Sequence, residues 1–174
     1  MSMKIVLACD HGAFALKEKV KGWLTAAGYE VRDFGCFGTE SVDYPDFALP
    51  AAEALARHEA DRGVFLCTTG IGVSICTNKV KGVRCALCTD TVTARMTREH
   101  NDTNALAMGA GVVGENLARE ILFTWLETPF SQAPDPCGSG ESESTAEALL
   151  LPAPSLLPPT LVTASQGLTV STGL

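Results

Sequence analysis

Basic residues are missing from the last part of the chain: of 174 residues, all 13 lysines and arginines lie at or before Arg119. Residues 131–174 also contain no aromatic ring, while they hold four of the 20 acidic residues and six of the nine prolines. A formal net charge of -7 with no basic patch excludes a nucleic-acid surface, because neutralising a phosphate backbone takes clustered cations. No uninterrupted apolar run approaches the roughly 20 residues of a membrane helix. The chain opens on no basic stretch followed by a cleavable apolar core. These absences predict a cytoplasmic protein with no nucleic-acid and no membrane partner. Histidine is scarce, at three residues, so any histidine chemistry rests on His11, His58 or His100.

The composition changes near Phe130. Residues 1–130 read as one domain, and 46% apolar content with 19% charge is ordinary for a globular chain. Residues 131–174, with "ALLLPAPSLLPPTLV", have too many prolines for a helix and are expected to be a disordered tail.

Within 1–130 two patterns alternate. The runs 4–9 "KIVLAC", 29–34 "YEVRDF", 63–67 "GVFLC", 83–88 "VRCALC" and 105–109 "ALAMG" are short and apolar or β-branched, as strands are. Helices are predicted over 13–27, ending at Gly28, and over 46–60, 71–79, 90–99 and 115–127. Five βα units define an α/β fold: a three-layer α/β/α sandwich with a Rossmann-like five-stranded parallel sheet.

In such sheets ligands bind beyond the carboxyl ends of the strands, where the winding reverses, commonly between the first and third strands. The first strand ends in "ACDHG", presenting Asp10 and His11, and the third in "LCTTGIG", presenting Cys67, Thr68 and Thr69. Gly70 and Gly72 permit a tight turn into the next helix, whose backbone N–H groups suit a phosphate or a developing oxyanion. The G-x-G-x-x-G spacing fails because position 75 is Ile, so no nucleotide cofactor is expected. A thiol at a helix N-terminus is readily ionised and able to serve as nucleophile or base, which sets Cys67 apart.

Seven cysteines without an export signal read as reduced thiols. Cys9, Cys76, Cys85 and Cys88 read as buried packing residues. Cys85 and Cys88 have CxxC spacing, but i and i+3 of a strand face opposite ways, which disfavours a redox or metal pair, and no metal site is expected. "REHNDTN" (98–104) places His100 at a helix end, read as pointing to the same carboxyl edge. "SVDYPDF" (41–47) adds Asp43 and Tyr44 on a loop near that edge, with Asp46 as a helix cap, while His58 in "ARHEAD" is assigned to solvent.

Taken in order, "CDHG", "SVDYPDFA", "CTTGIGVSICTNKVKGVRCAL" and "TREHNDTNALAMG" resemble the type B ribose-5-phosphate isomerases, a family that includes allose- and galactose-6-phosphate isomerases. The resemblance covers residues 3 to about 130. It implies aldose–ketose isomerisation through an enediolate, with no metal or cofactor, in a homodimer whose sites use both subunits. Cys67 would be the base, and Thr69 and His100 would help to open the sugar ring. Asp43 would act near the ring oxygen or hydroxyls, with Tyr44 beside it. The turn Thr68, Thr69, Gly70, Ile71 and Gly72 would give N–H groups to the enediolate oxygen, and Asp10, His11 and Asn101 would bind substrate.

The chain departs from the family at three places. Other members carry glycine where this chain has Thr68. Their phosphate arginine in "GxR" corresponds to Gly111, and a C-terminal "GGRH" segment has no counterpart. Other cations, such as Arg95 or Arg98, would then have to hold a phosphate. Alternative readings are an isomerase of another aldose, phosphorylated or not, and a non-catalytic family member acting as an interaction module.

Overall fold

The computed structural model describes residues 2–131, and these belong to one compact unit. The segment expected to be a disordered tail lies outside the described residues apart from Ser131. Five strands form the sheet: β1 (Lys4–Cys9), β2 (Glu30–Asp33), β3 (Arg62–Cys67), β4 (Cys85–Leu87) and β5 (Ala105–Gly109). All pairings are parallel, in the order β2-β1-β3-β5-β4. The predicted α/β sandwich is the observed fold, and the winding reverses between β1 and β3.

The helices are α1 (Phe14–Ala26), α2 (Pro45–Ala56), α3 (Ile71–Thr77), α4 (Thr91–Asn101) and α5 (Glu115–Glu127). Alternation along the strands divides the core into two layers. Ile5, Leu7, Val64, Leu66, Leu106 and Met108 pack with α1, α4 and α5. Val6, Ala8, Phe65, Ala105 and Ala107 pack with the alanine-rich face of α2 and with Val73 of α3. Because β1, β3 and β5 are covered on both faces, they read as continuous apolar runs. The thiols follow the same rule: Cys88 lies in the first layer, whereas Cys85 packs on the second. Burial pushes Cys85 up to about 12 and Cys88 up to about 11, so both stay protonated.

Several ends differ from the sequence expectation, each for a local reason. The first helix begins later, because a 3-10 turn over His11–Ala13 precedes it, with Asp10 Oδ1 accepting from Ala13 N–H at 3.2 Å. It closes as expected, with Gly28 at φ +87° just beyond the cap residue Ala27. α2 stops four residues early, where His58 turns the chain at φ 57°. Asp46 does not cap it: Tyr44 is the cap residue, without a side-chain bond, and Asp46 sits in the first turn, where its charge still favours the helix dipole. α3 ends at Thr77, and Asn78 then ties it to β4 by bonding both the N–H and the C=O of Cys85.

Candidate active site

Three chain segments meet at the carboxyl edge of the sheet: Asp10–Ala13 after β1, Cys67–Gly72 after β3, and Gly109–Gly111 after β5. Backbone bonds join them, Asp10 N–H to Leu66 C=O at 3.2 Å, Ala110 N–H to Cys67 C=O at 2.9 Å and Gly111 N–H to Thr68 C=O at 2.8 Å. The middle segment is pressed so close to its neighbour that a Cβ on Gly109 would lie 2.5 Å from the Thr69 carbonyl. Gly70 reaches φ +78°, and a Cβ there would stand 2.8 Å from the Met108 carbonyl carbon. Only glycine satisfies both positions.

Cys67 is 5% exposed, with its side chain at the rim of the α2–α3 core layer. Gly70 N–H donates to its sulfur at 3.1 Å, aiming a positive dipole end at the atom that would carry a thiolate charge. Ile71 N–H donates to Thr69 Oγ1 at 3.3 Å. The N–H groups of Thr69 and Gly72, by contrast, make no bond to other described residues. Within the turn read from sequence, the N–H groups of Gly70 and Ile71 are thus spent on shaping the turn itself.

The remaining expected residues fall into two groups. His11 is half-buried, and its Nδ1 lies 3.1 Å from the N–H and 3.2 Å from the C=O of Val42. A neutral ring accepts from that N–H and a protonated ring donates to that C=O, so the imidazole keeps its anchor in either state. Tyr44 lies over the glycine turn, where a Cβ on Gly72 would be 2.9 Å from its ring. Asp43 is exposed one residue before it. Asp10, 9% exposed, stands beside Gly12.

His100 and Asn101 are not at this edge, which corrects the sequence expectation. α4 leaves β4 at the carboxyl edge and runs back, so its last turn reaches the starting edge of the sheet. There the Asn101 carbonyl accepts from Arg84 Nε at 2.8 Å, and Asn104 C=O accepts from Gly63 N–H at 2.9 Å. The five residues of β5 separate the two edges by roughly 15 Å, at about 3.3 Å per residue. One chain's exposed His100 therefore cannot touch its own Cys67. Arg98 is likewise unavailable to a phosphate: it is 3% exposed and donates to Asp102 Oδ1 at 2.7 Å and Thr103 C=O at 2.6 Å. Arg95 is exposed on α4, 4.0 Å from Glu99.

Sequence reading missed Gly12 and Gly109, which look like ordinary loop and strand-end glycines, and the backbone of Val42. Glycine at the end of an apolar run was the only available signal. Among the described residues, no cluster of three or more potential ligands could hold a metal ion, and no helix is long and apolar enough to cross a membrane.

A parallel sheet with a thiol, a glycine turn and an anchored imidazole at its switch point places the chain among the α/β folds that hold a small ligand beyond the carboxyl ends of their strands. Comparison with known proteins narrows it. Residues 5–135 match the Ribose/Galactose Isomerase family. Ribose-5-phosphate isomerase B of Escherichia coli is 44% identical over 123 residues, 71% of this chain and 83% of that protein. The galactose-6-phosphate isomerase subunit LacB of Clostridium acetobutylicum is 40% identical over 128 residues, 74% of each chain. The solved ribose-5-phosphate isomerase B of Clostridium thermocellum superposes with a TM-score of 0.78 at 48% identity, covering 84% of this chain and 99% of that one. The chain belongs to the Ribose/Galactose Isomerase family and is an aldose–ketose isomerase.

Proposed function

We propose that the protein interconverts ribose 5-phosphate and ribulose 5-phosphate, with Cys67 as the base. The observation that carries this reading is the Cys67 sulfur held by Gly70 N–H beside two unengaged N–H groups. In the open-chain aldose, the Cys67 thiolate takes the C2 proton, and the electrons move to give an enediolate with its charge on O1. The N–H groups of Thr69 and Gly72 offset that charge, with each preorganised donor contributing roughly 3 kcal/mol. The thiol proton exchanges with solvent while the enediolate persists, the thiol then returns a proton to C1, the O2 hydroxyl proton passes to O1, and the ketose results with atoms and electrons balanced. A thiol suits both halves of the step because it can give back what it takes.

Thr69 and His100 assist ring opening, Asp43 and Tyr44 border the sugar, and Asp10, His11 and Asn101 bind it. Since His100 and Asn101 end α4 at the far edge of the sheet, the complete site takes them from a second copy of the chain, in a homodimer. Mixing inactive Cys67→Ala and His100→Ala subunits should then restore activity, to about a quarter of the native level for random pairing with one intact site per mixed dimer. No recovery after subunit exchange would contradict the shared site.

A second reading has its own support. The loops framing the crevice, 10–13, 67–72 and 109–111, contain no lysine or arginine. Charge-assisted contacts to phosphate are worth about 1.5–3 kcal/mol each, so a crevice offering His11 alone suits a weakly held phosphate or a different aldose. Assaying ribose 5-phosphate, allose 6-phosphate, galactose 6-phosphate and free ribose decides: kcat/KM highest for ribose 5-phosphate is expected. A higher value for another sugar would overturn the assignment of substrate.

A further inference from the structure

The Thr68 side chain projects from the middle strand end between the loops of both neighbouring strands. A Cβ on Gly12 would collide with Thr68 Oγ1, and a Cβ on Gly111 would lie 3.3 Å from Thr68 Cγ2. Thr68 thus stands as a wedge between two glycines, its hydroxyl toward the β1 loop and its methyl toward the β5 loop. Asp10 Oδ1 would lie 3.4 Å from the same Gly12 Cβ, so hydroxyl and carboxylate border one small space. Thr68 is exposed, and its Oγ1 has no hydrogen-bond partner among the described residues. The bulk of this exposed side chain, fitted between two glycines next to Cys67, borders whatever the crevice binds.

We propose that the Thr68 side chain sets the length of sugar the crevice accepts, favouring a five-carbon over a six-carbon aldose phosphate. This rests on the isomerase reading with Cys67 as base. A sugar whose C1–C2 bond lies at the Cys67 thiol must lay its remaining carbons along the strand ends, past the residue that follows Cys67. The hydroxyl and methyl of Thr68 fill a volume close to that of one CHOH unit, the difference between a pentose and a hexose. With glycine on both sides, the wedge has no bulky neighbour to share this task, and its removal opens the space directly.

The test compares kcat/KM for allose 6-phosphate and ribose 5-phosphate in the full-length protein and two variants. Thr68→Gly should raise the hexose-to-pentose ratio at least tenfold, the scale of one carbon unit in a shaped pocket. Thr68→Val keeps the bulk and should leave the ratio within about twofold. Thermal stabilisation by each sugar phosphate gives the same preference without turnover. The geometry has its own check: Gly12→Ala should lower Tm, and adding Thr68→Gly should restore it. A protein that isomerises ribose 5-phosphate while Thr68→Gly leaves the ratio unchanged, or while Thr68→Val shifts it equally, overturns the role of Thr68 alone. A native protein neither turning over nor stabilised by any aldose phosphate overturns the underlying reading and this one with it.

Discussion

Replacing Cys67 with alanine should lower kcat for ribose 5-phosphate by about 10²–10⁴-fold, the range contributed by a positioned general base. The loss belongs in kcat, because the sulfur is one partner of a proton transfer and the groups assigned to hold the sugar lie elsewhere. KM should stay within a few-fold of the native value. The fold should survive, since Cys67 sits at the end of β3 and the only hydrogen bond its sulfur takes among the described residues is from Gly70 N–H. Cys67→Ser should recover little, because a hydroxyl in the same place ionises far above neutral pH. Steady-state kinetics of both variants, with Tm as control, measure this. Near-native kcat in Cys67→Ala would remove the base from the mechanism.

The largest effect on stability is expected at Lys17, a lysine buried inside the domain. Its side chain is 0% exposed, and Nζ donates to Asp33 Oδ2 at 2.8 Å and to Cys36 C=O at 2.9 Å, with Glu18 Oε1 also at 2.8 Å. Lys21 Nζ reaches the same Asp33 oxygen at 2.9 Å, and Gly35 N–H donates to the other at 2.9 Å. The rings of Phe14 and Phe37 lie 5.3 and 4.9 Å from the ammonium. Lys17→Met keeps the stem and removes the charge, leaving Asp33 and the Cys36 carbonyl short of a donor. Breaking one side of a buried pair costs about 3–5 kcal/mol, and the retained Lys21 contact puts this case near the lower end.

The same pair predicts a pH dependence. Burial pushes the Asp33 carboxyl up, but the hydrogen bonds from Lys17, Lys21 and Gly35 outweigh it and hold the group below its ordinary value. A carboxyl depressed in the folded state adds stability that is complete above its unfolded value near 3.9 and is lost as pH falls through the folded one. The difference in unfolding free energy between native protein and Lys17→Met should therefore be full at neutral pH and shrink below about pH 4. Denaturant titrations at several pH values measure it. A constant difference into the acid range would contradict the pairing.

Much of the fold was legible because its strands are buried on both faces. "KIVLAC" and "ALAMG" are apolar without interruption, and the structure assigns those residues to β1 and β5. The two strand ends carrying "CDHG" and "CTTGIG" could be joined on paper, since the switch-point rule depends only on strand order. His100 was misplaced because a helix following a parallel strand returns toward the sheet's starting edge, so its last turn leaves the site. Lys17 was invisible for another reason. A lysine inside an amphipathic helix reads as solvent-facing, and its partner Asp33 lies 16 residues away, at the end of a strand. The Thr68 wedge depends on three loops meeting, which no local pattern encodes.

The central claim is that a proton, and not a hydride, moves between C2 and C1, and that Cys67 moves it. Turnover of ribose 5-phosphate in deuterium oxide, with the product's isotopic content read by mass spectrometry or NMR, tests it directly. The native protein should form ribulose 5-phosphate carrying deuterium at C1, and Cys67→Ala should form labelled product at least about 10²-fold more slowly. Unlabelled ribulose 5-phosphate from the native protein, or equally fast labelling by Cys67→Ala, would contradict the account.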